Sequence, residues 1–303
     1  MSRYLFIYKN SFSEWGLKLI FPTKFVEWWE VTEWSWRLSE KIDGSGWRPE
    51  AIVAVGKGGA VISRILCDML EVSVMAVLPI RYREHSTGKR NYLSELIEVF
   101  YRGQRGNYSI EEGIGEVVGK LSPEIPLDIH MDLKGKRTLI VEEIIATGMH
   151  MDLARRIVEK EWRAGETRSA ALVWKAPEGK GQPDYYFIRP SRFVWFQFPW
   201  SRLNDYIQFL YTIIEVESRE NGKRIWSKAE LEEQFQIWYG RKPEQKYFLK
   251  ALRALQRERA IRIEGEVIRF HESSAEERDF SMENRSLFIR EANHSTEDSE
   301  KGK

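Results

Sequence analysis

Leu139-Ile140-Val141-Glu142-Glu143-Ile144-Ile145-Ala146-Thr147-Gly148-Met149-His150 is the stretch on which the reading of this chain turns. It opens on an apolar run, Thr138 to Val141, short and continuous as in a strand buried on both faces. Two carboxylates follow at once, then a short loop holding Thr147-Gly148, then a helical pattern from about Met151 to Arg163. Backbone N–H groups where a loop enters a helix can cradle a phosphate, and the Thr147 hydroxyl adds a donor. Paired carboxylates at a strand end can accept hydrogen bonds from vicinal ribose hydroxyls. Ligands of open α/β sheets bind beyond the carboxyl ends of the strands, where these residues fall. The plainer alternative is a generic strand–turn–helix with surface acids.

The same strand-then-helix order recurs upstream. Residues 23–32 read as a strand leading into a helix, Val31 to Lys41, which Asp43-Gly44-Ser45-Gly46 ends by turn chemistry. Ala51 to Val55 is a second apolar run, followed by Gly56-Lys57-Gly58-Gly59 and a helical pattern from Val61 to Leu70. Small residues let a backbone approach an anion, and Lys57 supplies charge. A structural glycine turn is the plainer reading. Val72 to Leu78 and Ala170 to Trp174 read as further strands, so the fold class is α/β with a parallel sheet and right-handed crossovers. Between Arg81 and Lys134 the pattern weakens, with one helix expected at Leu93–Tyr101 in what reads as a lid or surface excursion.

Bulk properties narrow the classes. A chain of 303 residues holds one large domain or two ordinary ones. Its formal net charge of +1 argues against a basic coat over the whole surface, so any nucleic-acid face must be local. The single cysteine, Cys67, forms neither an internal disulfide nor a cysteine-based zinc site, and its apolar helical setting reads as a buried small hydrophobe. No stretch approaches a membrane span of about 20 apolar residues. The N-terminal run is broken at Lys9 and lacks signal-peptide flanks. The expectation is a soluble, cytoplasmic protein with no membrane partner.

A third constellation runs Trp174-Lys175-Ala176-Pro177, Asp184-Tyr185-Tyr186, then Arg192 through Trp200 with its dense aromatics. Together the three motifs, over about residues 23–200, resemble type I phosphoribosyltransferases, and the third resembles the hood of the 6-oxopurine branch, the hypoxanthine, guanine and xanthine enzymes. The resemblance implies a phosphoribosyltransferase-type core with a hood. It implies a phosphoribosyl pyrophosphate site at Gly56, Lys57, Gly58, Gly59, Glu142, Glu143, Ala146, Thr147, Gly148, Met149 and His150. Glu142, Glu143 and Lys57 become the catalytic candidates. Lys175 would meet the purine 6-oxygen, Trp195 would stack on the ring and the backbone near Phe196 would read its edge. Stacking of this kind contributes about 1–3 kcal/mol per base. Magnesium would enter with the sugar pyrophosphate, bound mainly through the substrate's oxygens, with no direct metal ligand assigned. The family is usually dimeric or larger, so a homodimer is an expected partner state.

The chain departs from the family at three places. The second acid is usually Asp and here is Glu143. The Asp that takes the proton from purine N7 in the 6-oxopurine enzymes is replaced by Ala146, as in adenine phosphoribosyltransferases, which look to a loop glutamate; Glu84 is a candidate for that role. Met149 and His150 stand where a small residue and Thr or Ser are usual; His150 either donates to the 5′-phosphate or faces solvent.

After Trp200 the character changes. Asn204 to Ser218 is helical, Ser227 and Glu230 match a capping box opening a helix to Trp238, and Pro243 fits the first turn of a helix to about Arg259. A hairpin follows over 260–270. Three helices and a hairpin are the order of a small winged-helix-like α+β domain, 201–271. Residues 1–22 form an N-terminal extension and the polar tail, 272–303, reads as disordered. In the third helix Lys242, Lys246, Lys250, Arg253 and Arg257 share one face. That face is a possible DNA-binding surface, a solvated face, or part of a dimer contact. Two functions follow. One is a purine phosphoribosyltransferase making nucleotide from phosphoribosyl pyrophosphate and a purine base. The other is a degenerate sensor of phosphoribosyl pyrophosphate or nucleotide that regulates through DNA, as in some bacterial purine repressors that resemble this domain pairing.

Overall fold

The computed structural model describes residues 19–82, 91–106, 108–127, 129–176 and 181–271. By their internal contacts the described residues fall into two compact units, one within 19–82 and 95–202, the other within 91–94 and 203–271.

The larger unit is built on a five-stranded parallel sheet in the order β3-β2-β6-β7-β8. Its strands are β2 (Ala51–Val55), β3 (Met75–Leu78), β6 (Thr138–Ile145), β7 (Thr167–Trp174) and β8 (Tyr185–Ile188). Glu142 pairs with Ala171 and Ile145 with Trp174, so the acid pair lies inside the ladder rather than beyond it. The strand predicted to end at Val141 continues through Ile145 because Ile144 and Ile145 are as apolar as the residues before the acids. The central strands β2, β6 and β7 are almost wholly buried, which explains why they read as apolar runs without alternation.

Helices α1 (Trp28–Gly44) and α2 (Gly56–Met69) precede and follow β2. Helix α1 begins three residues before the predicted start, where Glu27 and Glu30 form a capping box. Helix α2 begins directly on Gly56, so the lysine–glycine segment is its first turn and not a loose loop. Helices α3 (Tyr92–Gln104) and α4 (Ile110–Gly119), and a two-strand pair of β4 (Arg81–Tyr82) with β5 (Pro123–Glu124), occupy the region where the sequence pattern fades. Helix α5 (Met149–Arg156) passes into one π-helical turn, Ile157–Glu161, before β7.

A separate two-stranded sheet pairs β1 (Thr23–Phe25) in parallel with β9 (Trp195–Gln197). Arg202 fastens it: its Nε donates to Gln197 Oε1 at 2.8 Å and its Nη2 to the Val26 carbonyl at 2.6 Å. Burying a guanidinium is costly unless its donors are satisfied, so this arginine holds the layer in one register.

In the smaller unit, helices α6 (Arg202–Asn221), α7 (Lys228–Tyr239) and α8 (Gln245–Arg257) are followed by strands β11 (Ile261–Glu264) and β12 (Val267–Phe270). Strand β10 (Ile225–Ser227), which the sequence reading lacks, adds a third strand in the order β10-β12-β11, all antiparallel. Ser227 and Glu230 make the predicted capping box. Pro243 sits ahead of the N-cap Glu244 rather than inside the first turn. Phe209 stacks on Tyr239 at 4.1 Å, and Phe235, Trp238, Phe248 and Leu252 complete a buried aromatic core.

Cys67 is only half-buried, at the rim of a surface hollow lined by Arg64, Asp68 and Met75, rather than sealed in the core; burial still raises its thiol pKa. Glu84, the tail 272–303 and residues 1–18 of the N-terminal extension lie outside the described residues, as does Pro177. No helix among the described residues is long and apolar enough to cross a membrane.

Candidate active site

The acid pair divides its two side chains between two surroundings. Glu142 is buried and its Oε1 accepts from His150 Nδ1 at 3.1 Å. Burial raises its carboxyl pKa, and the bond from His150 partly offsets the rise. Glu143 leaves the other face of β6, partly exposed, and its Oε2 accepts from Trp200 Nε1 at 2.5 Å. The same carboxylate lies over Gly58: a Cβ built there would stand 1.8 Å from Glu143 Oε2. The lysine–glycine turn and the acid pair are therefore adjacent. Lys57 is exposed, Gly56 and Gly58 are half-buried, and Gly59 is buried against the Val141 carbonyl of β6.

The turn after β6 runs Ala146-Thr147-Gly148. Gly148 caps α5 with φ +86°, a left-handed conformation that glycine adopts without steric cost. Thr147 Oγ1 accepts from the Met149 N–H at 3.2 Å and shares a 2.9 Å hydrogen bond with the Tyr82 hydroxyl. The Tyr82 ring lies against the His150 ring with centroids 4.0 Å apart. Burial first, and then the nearby Glu142 charge, push the Tyr82 hydroxyl up to about 12, against the lowering effect of its Thr147 bond. That rise favours the protonated hydroxyl, and either it or Thr147 Oγ1 can donate in their shared bond. His150 Nε2 is buried with no hydrogen-bond partner among the described residues. Of the two alternatives left open for His150, the ring faces inward and not to solvent. Ala146 is exposed and offers no base.

The strand-end lysine joins this centre through the backbone: Lys175 N–H donates to the Ile145 carbonyl at 2.8 Å. Its Nζ donates to the Val194 carbonyl at 3.0 Å and lies 4.6 Å from the Phe193 ring centroid and 5.9 Å from that of Trp195. Burial among these groups lowers its ammonium to about 8. Trp195 is half-buried with its ring centroid 6.2 Å from that of Phe21, whereas the Phe196 side chain is buried beside Trp34.

Two contributors escaped the sequence reading. Trp200 stands stacked on Phe198 at 4.7 Å, touches Trp28 at 5.7 Å and fixes Glu143; an indole flanked by aromatics was visible, but not its carboxylate partner. Tyr82 had no signal beyond its closeness to the third strand. No cluster of three or more His, Cys, Asp or Glu side chains suited to a metal occurs among the described residues.

A family model described as the phosphoribosyl transferase domain matches residues 29–203. Among solved structures, a purine phosphoribosyltransferase from Pyrococcus horikoshii Ot3 is similar over 58% of this chain and 92% of its own, at 23% identity and a TM-score of 0.41. A hypothetical protein from Neisseria gonorrhoeae with bound ppGpp covers 59% and 89% at 21% identity and a TM-score of 0.40. A xanthine-guanine-hypoxanthine phosphoribosyltransferase from Helicobacter pylori covers 59% and 93% at 17% identity and a TM-score of 0.40. No curated protein sequence matches the chain.

Proposed function

Because the chain belongs to the phosphoribosyltransferase family, we propose that it joins a 6-oxopurine base to ribose 5-phosphate taken from phosphoribosyl pyrophosphate. The observation that carries the choice of base is Lys175, an ammonium without a carboxylate partner among the described residues, held beside Phe193 and Trp195. A cation there offers its protons to a carbonyl oxygen and repels an exocyclic amine, which favours oxo- over aminopurines.

In this reading a purine ring nitrogen forms the new bond to the sugar C1 carbon while the C1–oxygen bond to pyrophosphate breaks. Positive charge grows on the sugar ring, so fixed carboxylates nearby stabilise the transition state. Glu142 and Glu143 accept from the ribose hydroxyls. The turn 146–150 takes the 5′-phosphate, with His150 Nε2 as a donor when the ring is protonated. Lys57 and the Gly58 backbone take the pyrophosphate. The residues fit magnesium only as an ion carried by substrate oxygens, because no group of three or more His, Cys, Asp or Glu side chains suited to a metal occurs among the described residues. That ion would supply charge neutralisation for the departing pyrophosphate.

A second reading rests on a specific observation: both carboxylates are already hydrogen-bonded, to His150 and Trp200, and Ala146 supplies no base. A site so committed suits a sensor that binds the sugar phosphate or a nucleotide without turnover.

The experiment mixes the protein with phosphoribosyl pyrophosphate, magnesium and each purine base in turn. Nucleotide from hypoxanthine, guanine or xanthine supports the transferase, and a Lys175→Gln variant should lose that activity more than tenfold. Sugar-phosphate binding with no nucleotide from any base would leave the sensor.

A further inference from the structure

We propose that the smaller unit binds duplex DNA, with α8 laid in the major groove and the β11–β12 hairpin against the neighbouring backbone. The inference is independent of the transferase reading.

The first support is how α8 divides its residues. Phe248, Ala251, Leu252, Ala254 and Leu255 are buried and hold the helix to its unit. On the opposite side Lys246, Lys250, Arg253 and Arg257 are all exposed. At about 100° per residue they fall within a narrow stripe, and the stripe runs roughly 16 Å at 1.5 Å per residue. That length spans a major groove about 12 Å wide, so the outer cations reach phosphates on both of its sides.

The second support is charge. Between Arg241 and Arg259 the sequence has seven Lys or Arg and two carboxylates, Glu244 and Glu258, in a chain whose net charge is only +1. Lys250, Arg253 and Arg257 have no carboxylate within ion-pair distance among the described residues, and Lys246 has only Glu244 at 3.9 Å. Acids sit instead on α7, at Glu230, Glu232 and Glu233. Four cations on one rigid helix face, three of them uncompensated among the described residues, favour a polyanion and oppose pairing with a second copy of the same face.

The third support is the surrounding shape. Helix α7 ends at Gly240, and a short turn leads to α8, the arrangement in which a second helix enters a groove. Arg262 and Arg269, opposite each other on the hairpin, are both exposed and share one acceptor, Glu264. Leu249, 39% exposed between the cations, is an apolar contact for a thymine methyl. A duplex RNA groove is too deep and narrow to admit this helix, which decides for DNA.

The test uses the full chain and a labelled 20-base-pair duplex of mixed sequence, followed by anisotropy from about 50 to 200 mM salt. Four phosphate contacts give a slope of log K on log salt near −3.6, a loss of roughly a hundredfold over that range. A K250Q/R253Q variant should bind at least tenfold more weakly, with the slope reduced by about 2. The control K120Q/K160Q, changed in the other unit, should bind as the parent does. Both altered side chains in the first variant are exposed, and circular dichroism checks the fold; K246Q/R257Q repeats the test on the same stripe. No binding at 50 mM, equal loss in the control, or tighter binding to duplex RNA would each overturn the proposal.

Discussion

Gly58 and Gly59 are neighbours in the first turn of α2, yet replacing each by alanine should give opposite phenotypes. A Cβ at Gly58 meets the end of a flexible side chain, Glu143 Oε2 at 1.8 Å and Cδ at 2.0 Å. The carboxylate can swing into solvent, but it then releases the Trp200 indole N–H. Losing a hydrogen bond to a charged group costs about 1.5–3 kcal/mol, less where water replaces it, and alanine in place of helical glycine returns about 1 kcal/mol. Gly58→Ala should therefore lose about 1 kcal/mol or less while its sugar-pyrophosphate affinity falls at least tenfold. At Gly59 the Cβ meets backbone: the Val141 carbonyl at 2.6 Å, with Ala54 and Glu142 main-chain atoms at 3.6 Å. A strand hydrogen-bonded on both sides cannot step aside, and overpacking of this kind costs about 1–3 kcal/mol or more. Gly59→Ala should thus lose about 2 kcal/mol even after its helix gain. The assay is native-state hydrogen exchange at α2 and β6 amides, since a chain of two units need not unfold in one step. Trp200→Phe completes a cycle: if it and Gly58→Ala break the same bond, the double variant costs about 1 kcal/mol less than the sum. Strict additivity, or equal destabilisation by the two glycine changes, would refute this account of the turn.

Folding holds the Lys175 ammonium at about 8, below its usual value, so its cost is fully present below pH 8 and disappears as pH rises toward the unfolded value near 10.5. Lys175→Met should be more stable than the parent at pH 7, and chemical denaturation should find that advantage shrinking between pH 8 and 10.5. His150→Phe removes the donor to Glu142 and the inward Nε2; the KM for phosphoribosyl pyrophosphate should rise at least tenfold while circular dichroism stays unchanged. Ser227→Ala deletes the N-cap of α7, whose oxygen accepts from the Glu230 N–H, and should cost the smaller unit about 1 kcal/mol by hydrogen exchange.

The parts of this molecule that were legible in sequence are those whose causes are local. β2 and the start of β6 are buried on both faces, so their apolar runs announced them, and the glycine and acid motifs lay directly at their ends. Ser227 and Glu230 cap a helix through contacts three residues apart, and the sequence showed both ends of the bond. Helix α4 carried a comparable signal, Ser109 accepting from the Glu112 N–H, but Gly113, Gly115 and Gly119 mask its period at about 1 kcal/mol each. Strands β1, β9 and β10, of three residues each, are too short to display alternation and exist through pairing with distant partners.

The same distinction runs through the site. Glu142 and His150 are eight residues apart and were both named, whereas the Trp200 that holds Glu143 is 57 residues away and the Tyr82 that holds Thr147 is 65 away. Identity of a polar residue near a strand end is a local fact; which oxygen it binds is set by the sheet order, in which β6 lies between β2 and β7. The departure at Glu143 is a case in point. Where the family usually has an aspartate, the longer side chain lies over Gly58 and reaches the Trp200 indole, so the extra methylene and the glycine belong to one device. An aspartate at 143, one methylene shorter, should leave the indole without its acceptor, and Glu143→Asp would then loosen Trp200 from its place between Trp28 and Phe198. Tryptophan fluorescence that did not change in that variant would mean the indole is held by its aromatic neighbours alone.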